Sequence, residues 1–359
     1  MSSSAVRVAM AKAIALASEE HPHPNPRVGA VILDAAGTEL GVGAHVGPGL
    51  PHAERLAIDA AGSVPAGSTL VVTLEPCNHT GRTPPCTEAI LDAGIEHVVI
   101  GARDPDRKVD GQGIERLRAH GVNVDVLDPD SELGRAAVDL DPGYFHHRIH
   151  RMPQVILKLA ATLDGQVAAS DGTSQWITGQ GMRNRVHEWR AESDAVMVGA
   201  GTVIADDPQL AVRLDGYHGR QPRPVIVAGS RPLPASARIW QRDPLVLSSR
   251  WIETPGGELE VIEGASDQAV DLRSAFELLG DRGLLSVFVE GGPALASSLI
   301  RSDLVDVGLL HMGSKFGLGI GTPLFDGVFE SIGAAVDVEI VSARLVDGDL
   351  EVRWHRRRS

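Results

Sequence analysis

Cys77 and Cys86 are the only cysteines in the chain. Both lie in the run Pro76-Cys77-Asn78-His79-Thr80-Gly81-Arg82-Thr83-Pro84-Pro85-Cys86, downstream of His52-Ala53-Glu54. One imidazole and two thiols are three soft metal donors. Zinc binds them as neutral imidazole and thiolate, and three protein ligands leave a fourth position for water, which separates a catalytic from a structural site. H-x-E followed by P-C-x-x-C is the pattern of zinc deaminases; here the second cysteine is delayed to C-x8-C. The expected metal ligands are therefore His52, Cys77 and Cys86. Glu54 is not needed as a ligand, because residues i and i+2 of a helix point apart. It can take a proton from activated water, protonate a ring nitrogen and deliver a proton to departing ammonia. Two reduced structural thiols, or a redox pair with His52 as an ordinary polar residue, remain the alternatives. His-x-Glu upstream and a strong strand ahead of Pro-Cys favour the metal.

A second set of polar residues begins at Lys158, inside the apolar run 155–161. An unpaired lysine there is costly to bury, which argues against a plain strand-edge charge. Val289-Glu290-Gly291-Gly292 followed by Pro293 reads as a strand end turning into a helix. Glycines permit close backbone approach, and a helix N-terminus attracts anionic oxygens, which suits a dinucleotide pyrophosphate. It is not the G-x-G-x-x-G fingerprint, and a structural turn has the same pattern.

These residues need elements to hold them. Residues 6–18 are helical in pattern. Residues 28–33 and 39–44 read as strands joined by a turn at 34–37. A helix is expected over 53–60, a buried strand over 68–74, a helix over 87–93 stopped by Gly94, a strand over 97–100, a helix over 113–120 and a strand over 122–127. Strands separated by helices imply a largely parallel sheet. Residues 128–152 break this rhythm with Pro129, Pro142 and a His/Arg cluster from His146 to Arg151, and read as a solvated linker helix. Beyond it, strand signals recur at 155–160, 195–198, 225–228, 245–247, 285–289 and 305–310. Helix signals lie at 182–191 and 293–300.

A length of 359 residues favours two domains. Hydrophobic content of 43% and charge of 22% are those of an ordinary globular protein. The net charge of -14 argues against a dominant nucleic-acid or anionic-membrane surface, since phosphate binding needs clustered Lys and Arg. The one basic cluster, Arg353 to Arg358, reads as a solvated C-terminus. Two cysteines make no disulfide scaffold, no stretch reaches a membrane span, and the N-terminus reads as an amphipathic helix rather than a signal peptide. The cytoplasm is expected.

His52-Ala53-Glu54 with Thr73-Leu74-Glu75-Pro76-Cys77-x-His79-x-Gly81-Arg82-Thr83-Pro84-Pro85-Cys86 resembles the deaminase half of the bifunctional riboflavin-biosynthesis deaminase/reductases. Asn25-Pro26-Arg27-Val28-Gly29-Ala30-Val31 and Gly41-x-Gly43-x-His45 fit the same family. The later motifs resemble its reductase half: Lys158, Leu163-Asp164-Gly165, Ser174-Gln175-Trp176-Ile177-Thr178, Val198 to Val203, Ala205-Asp206-Asp207-Pro208, Arg213 and Glu290-Gly291-Gly292-Pro293. The resemblance implies an α/β protein of two domains. A cytidine-deaminase-like three-layer α/β/α domain spans 1–148, and a dihydrofolate-reductase-like α/β domain spans 149–359. It implies zinc, NADPH and a phosphorylated pyrimidine substrate, no nucleic acid, no membrane, and a homo-oligomer.

It further implies that Asn25, His45, His79 and Arg82 line the deaminase pocket. Lys158 and Asp206 position the substrate and balance charge in the second domain. Ser174, Thr178, Arg190, Arg213 and Glu290 match substrate-side positions. Ala160, Trp176, Thr202, Asp206, Gly291 and Gly292 match cofactor-side positions. Arg190 and Arg213 suit phosphate because guanidinium binds it in bidentate fashion. Ser230-Arg231, past the strand 225–228, is the candidate for the 2′-phosphate. Two segments depart from the family pattern: Gly111-Gln112-Gly113 carries Gln112 where a basic residue is common, and 313–321 keeps Lys315 among altered glycines. The competing readings are a nucleic-acid base deaminase with an appended binding domain, and a non-catalytic module whose zinc is closed by His79.

Overall fold

A computed structural model describes residues 3–80, 84–107, 109–264 and 268–357. The chain divides into two compact units, residues 1–150 and 151–359.

The first unit runs α1 (Ser3–Ser18), β1 (Gly29–Leu33), β2 (Glu39–Ala44), α2 (Ala53–Ala61), β3 (Thr69–Leu74), α3 (Cys86–Asp92), β4 (His97–Ala102), α4 (Gln112–Ala119), β5 (Asn123–Val126), α5 (Glu132–Val138) and α6 (Pro142–His150). Its sheet has the order β2-β1-β3-β4-β5, with β1 antiparallel to both neighbours and β3, β4 and β5 parallel. The β1–β2 turn closes where the Asp34 carboxylate accepts the N–H groups of Ala36 and Thr38, with Gly37 at φ 88°. Every residue of β1 and β3 is buried, as strands covered on both faces must be. Val31 and Leu33 pack on Ala9, Met10 and Ala13 of α1.

The other face carries the chemistry. A Cβ on Gly43 would fall 2.3 Å from the Ala53 carbonyl oxygen, and one on Gly41 would fall 2.3 Å from that of Ala57. The glycine pair therefore lets α2 lie directly on β2, which fixes the helix that begins just after His52.

Residues 128–152 are not a solvated linker. They form α5 and α6, and α6 inserts Tyr144 and His147 into the first unit. The Tyr144 hydroxyl donates to the Asp104 carboxylate at 3.1 Å. Arg148, one turn on, lies over the Tyr144 ring and pairs with Asp106 at 2.9 Å. The expected helix is present, and its polar composition concealed one buried face.

The second unit contains β6 (Gln154–Thr162), β7 (Gln166–Ala168), α7 (Gln180–Glu192), β8 (Ala195–Gly199), α8 (Ala200–Asp206), β9 (Arg223–Gly229), β10 (Leu245–Ser248), β11 (Glu258–Val261), α9 (Leu272–Asp281), β12 (Ser286–Val289), α10 (Pro293–Arg301), β13 (Val307–Gly313), β14 (Thr322–Pro323), β15 (Val338–Val346) and β16 (Asp349–Arg356). Nine strands form one sheet, ordered β11-β10-β9-β8-β12-β6-β13-β16-β15. It is parallel up to β13, after which β16 and β15 add antiparallel. Alternation along the strands separates two cores. Val155, Leu157 and Leu159 pack with Phe276, Leu279 and Leu299 from α9 and α10. Ile156, Val196, Val198 and Phe288 pack with Val203 and Trp189.

The basic run near the C-terminus is likewise not a solvated tail over 353–356. It belongs to β16, where Trp354 is buried and Arg356 bonds Asp303. Charges at alternate positions of the strand had masked it. The helix α9 had a readable signal: Leu272, Ala275, Phe276 and Leu279 bury at helical spacing, and the Asp271 carboxylate caps it through the Ser274 N–H. Among the described residues, no helix is long and apolar enough to cross a membrane.

Candidate active sites

In the first unit, His52 is the N-cap of α2, Cys77 follows β3, and Cys86 is the first residue of α3 behind Pro85. Their donor atoms lie within 4.8 Å of one another. The His52 Nδ1 stands 3.1 Å from the Cys86 Sγ and 3.6 Å from the Cys77 Sγ. Bonds of 2.0–2.3 Å around a tetrahedral zinc imply donor separations of roughly 3.3–3.8 Å. The His52–Cys77 pair falls in that range and the His52–Cys86 pair just below it, so the set fits that ion after a small adjustment. Both cysteines are free thiols. The Cys77 thiol is held down at about 4, first by the hydrogen bond from Cys86. The Cys86 thiol is pushed up by that same bond and by burial. The Cys77 thiol is thus the more readily ionised of the pair.

Glu54 occupies the first turn of α2 and is 3% exposed. Burial, and next the Cys77 charge, push its carboxyl up to about 7. A carboxyl that titrates near neutrality, against the three donors, is suited to both accept and return a proton. His45 is buried and meets the His52 ring edge-on, with centroids 5.0 Å apart. Its Nδ1 lies 3.1 Å from the Pro51 carbonyl, which can only accept, so Nδ1 carries the proton. Nε2 is then the acceptor for the Asn25 amide at 2.9 Å. This leaves the Asn25 carbonyl oxygen free to read a donor on a ring edge.

His79 is exposed and is not part of the donor cluster, so the structure does not close the site with a fourth protein ligand among the described residues. Arg82 lies outside the described residues. Gln112 is the exposed first residue of α4, and its N–H donates to the Val109 carbonyl.

In the second unit, an open cleft of about 1210 Å³ lies over the C-terminal ends of β6, β8 and β12. It gathers Lys158, Ala160, Ser174, Trp176, Thr178, Thr202, Asp206, Arg213, Glu290, Gly291 and Gly292 on its walls. The N-termini of α8 and α10, capped by Gly199 and Gly292, face it side by side because β8 and β12 are neighbours. A Cβ on Gly291 would fall 2.8 Å from the Leu295 Cδ2, so a larger residue there would press on that side chain.

The charges in this cleft are organised around one ion pair. Arg190 also reaches the cleft wall but is not a free phosphate ligand. Its Nε and Nη2 fork onto the Glu290 carboxylate at 2.5 and 3.0 Å, and its Nη1 donates to the Ala211 carbonyl at 2.9 Å. Burial would raise the Glu290 carboxyl, but the Arg190 charge and bond outweigh it and hold it low. Lys158 stands beside this pair without a hydrogen bond among the described residues. Burial lowers its ammonium, with Glu290 and Asp206 opposing. Asp206 is raised by burial, with Lys158 opposing.

Ser230 does not line the cleft: it follows β9, and its carbonyl accepts Arg250. Arg231 does line it, with a guanidinium nitrogen 3.9 Å from the position of a Cβ on Gly201. Sequence reading did not single out Arg183, Asn184 and His187. They share the cleft-facing side of α7, and their i, i+1, i+4 spacing was the available signal. Asp164 anchors the altered glycine segment by accepting the Gly317 and Leu318 N–H groups, and Lys315 donates to the Trp176 carbonyl.

Two family models match the chain. Residues 153–351 match the RibD C-terminal domain, and residues 3–102 match the cytidine and deoxycytidylate deaminase zinc-binding region. The riboflavin biosynthesis protein RibD of Chlamydia muridarum is 37% identical over 329 residues, which cover 89% of this chain and 87% of that protein. The structure of Acinetobacter baumannii RibD superposes with a TM-score of 0.89 at 32% identity, covering 99% of both chains. The diaminohydroxyphosphoribosylaminopyrimidine deaminase/5-amino-6-(5-phosphoribosylamino)uracil reductase of Thermotoga maritima superposes with a TM-score of 0.86 at 34% identity, again over 99% of both.

Proposed function

The chain belongs to the RibD family of bifunctional riboflavin-biosynthesis enzymes, and on that footing we propose which of its residues run each half of the chemistry. The protein is a zinc-dependent deaminase and an NADPH-dependent reductase. It deaminates 2,5-diamino-6-(5-phosphoribosylamino)pyrimidin-4(3H)-one, then reduces the ribosyl side chain of 5-amino-6-(5-phosphoribosylamino)uracil to ribityl.

We assign deamination to the first unit. His52, Cys77 and Cys86 would hold the zinc, and the ion would supply a water with its pKa lowered toward about 7. Glu54 would take one proton from that water for a ring nitrogen, then a second from the hydroxyl newly bound to the ring carbon for the departing ammonia. Asn25, oriented by His45, reads the pyrimidine edge. His79 and Arg82 belong to the loop we expect to meet the ribose phosphate.

We assign reduction to the second unit, whose cleft residues would hold NADPH; the cofactor would supply a hydride for the sugar C1′. Gly291, Gly292 and Thr202, at the two facing helix starts, receive the cofactor with Ala160 and Trp176. Arg231 takes the 2′-phosphate in place of Ser230. Lys158 and Asp206 position the opened sugar, and Arg213 holds its phosphate. Ser174 and Thr178 complete that wall. Arg190 acts through Glu290, which it keeps ionised at the floor of the cleft near Lys158.

The observation that carries the first assignment is the buried Glu54 carboxyl against three soft donors. A Glu54→Gln variant should retain zinc and stop releasing ammonia, while NADPH oxidation continues when deaminated substrate is supplied. Ammonia release at the parent rate would refute it.

We further infer a homo-oligomer that binds no nucleic acid and works in the cytoplasm. The charge of -14 repels a polyanion, and two reduced cysteines used as donors suit a reducing compartment. For self-association, β15 is an edge strand exposed along nearly its whole length, and Phe316, Leu318, Ile320, Phe329, Ile332 and Ile340 expose large apolar side chains in the same stretch of chain. Such apolar edges are covered in stable proteins. Ile340→Lys should convert the assembly to monomers in sedimentation analysis.

A further inference from the structure

Glu75 is 4% exposed and has no part in the proton chemistry assigned above. Its two oxygens receive four backbone N–H groups. Oε1 accepts from Gly113 at 3.1 Å and Ile114 at 3.4 Å, and Oε2 accepts from Gly111 at 3.1 Å and Asp104 at 3.4 Å. Gly111 is the N-cap of α4 in the left-handed region, φ 84°, and offers no side-chain cap of its own. Glu75 therefore caps α4 from outside the helix. Its negative charge meets the N–H groups that a helix start leaves unpaired.

The chain next to that carboxylate is the one that carries Cys77. Gly113 abuts it so closely that a Cβ there would fall 2.0 Å from the Pro76 carbonyl oxygen. The same helix is tied to the helix of the other cysteine, because Arg116 of α4 pairs with Glu88 of α3 at 2.9 Å. The start of α4 is thus clamped onto Glu75-Pro76-Cys77, and its second turn onto the helix that begins with Cys86. The Cys77 Sγ also accepts the backbone N–H of Cys86 at 3.4 Å, so a shift of either segment opens the pair.

We propose that Glu75 is a positioning residue for the metal: by capping α4 it fixes where Cys77 stands relative to Cys86. Its carboxylate holds the backbone from which a ligand projects, whereas Glu54 moves protons. This rests on the assignment of His52, Cys77 and Cys86 as zinc ligands. The charge of Glu75, rather than its bulk, is what the four N–H groups require. Gln is the isosteric probe, since its NH₂ would face two of those donors.

The test uses the full-length zinc-loaded protein. The rate of zinc loss to a chelator and the thiolate-to-cobalt charge-transfer absorbance of the Co²⁺-substituted protein are measured for the parent, Glu75→Gln and Cys77→Ser. Glu75→Gln should weaken metal affinity by about 10–100-fold, the range for residues that orient ligands from behind. It should also lower the charge-transfer absorbance toward that of Cys77→Ser, while the reductase rate stays at the parent value. A folded Glu75→Gln protein with the parent's zinc-loss rate and cobalt spectrum overturns the proposal. If Glu75→Gln does not fold, Gly113→Ala decides, because it drives a methyl against the Pro76 carbonyl without removing charge: parent-like zinc loss there overturns the proposal as well. Zinc retained in full by Cys77→Ser would instead refute the ligand assignment itself, which separates the two failures.

Discussion

The two sites are built on opposite plans. The metal triad draws its donors from residues 52 to 86, brings them within 4.8 Å, and surrounds them with groups whose partners are already made. The reductase cleft draws on residues 158 to 326 and leaves about 1210 Å³ open. A bare ion needs only a few fixed donors, because its charge does the work of recognition. A dinucleotide and a sugar phosphate need area, so their site must be wide and its residues spread over many strand ends. In the first site burial pushes the Glu54 carboxyl up to about 7. In the second the buried carboxylate Glu290 is held ionised by a forked arginine. Deamination needs a group that changes protonation, and hydride transfer to a sugar needs fixed charge.

The largest effect that can break this contrast is at Glu54. General acid–base residues contribute about 10²–10⁴-fold, so Glu54→Gln should cut the deamination turnover by about that factor with zinc content unchanged. The reductase rate should not move. A loss below tenfold would mean that the tuned carboxyl is not the proton carrier, and the contrast between a titrating and a fixed site would fail.

The second test concerns the fixed site. Arg190 and Glu290 are both buried, with side chains 10% and 12% exposed. Removing one partner of such a pair leaves an uncompensated charge and costs about 3–5 kcal/mol. Arg190→Ala should therefore lower the unfolding midpoint of the second unit strongly, whereas the double variant Arg190→Met with Glu290→Gln should recover much of the loss. If the single variant unfolds like the parent, Arg190 is free to bind phosphate after all.

That difference also explains what could be read without coordinates. The clustering of His52, Cys77 and Cys86 was legible because few residue types bind zinc and their spacing was distinctive. The parallel strands were legible because β3 and β8 are runs of buried apolar residues. The partner of Arg190 was not legible, because guanidinium suits a carboxylate as well as a phosphate, and the fold brings it to Glu290. Ser230 and Arg231 are adjacent in sequence but only Arg231 faces the cleft, a matter of side-chain direction that local sequence does not carry. Glu75 sat in plain view beside Cys77, yet its partners come from residues 104 to 114, a contact set by tertiary packing. The helix α6 was expected, but its buried face was hidden by its charges, since one buried Tyr144 is a weak signal among His and Arg.

A smaller effect tests whether tuned carboxyls in the first unit are confined to the proton carrier. Asp104 is 5% exposed, and burial raises its carboxyl to about 6 from an ordinary 3.8. The folded state therefore holds the proton more tightly than the unfolded state. Stability from this group is fully present below 3.8 and is lost as pH rises through 6. The shift corresponds to at most about 3 kcal/mol. Urea unfolding of the parent and of Asp104→Asn from pH 4 to 7 should show the parent losing stability relative to the variant across that window. A pH-independent difference would place the proton elsewhere in the Asp104–Tyr144 contact.

The finest discrimination lies between the two arginines of the cleft. Arg213 is exposed on the cleft wall, and its backbone N–H donates to the His187 ring at 3.3 Å. His187 is held down at about 4, first by burial and then by the Arg190 and Arg213 charges, so it stays neutral at working pH and adds no cation of its own. Arg213 is then a cation with an open guanidinium, unlike Arg190, whose nitrogens are spent within the protein. A phosphate gripped equally in the ground and transition states changes KM and leaves kcat alone. Arg213→Ala should raise KM for the phosphorylated sugar by about tenfold, in line with a charge-assisted contact of 1.5–3 kcal/mol discounted for solvent. It should do so with little change in kcat, in KM for NADPH or in the unfolding midpoint. Arg190→Lys, which keeps the charge but loses the fork, should do the reverse: a lower midpoint and a lower kcat at nearly constant KM. Both variants raising KM alone would make the arginines equivalent phosphate ligands and would dissolve the distinction between the cleft's fixed floor and its binding wall.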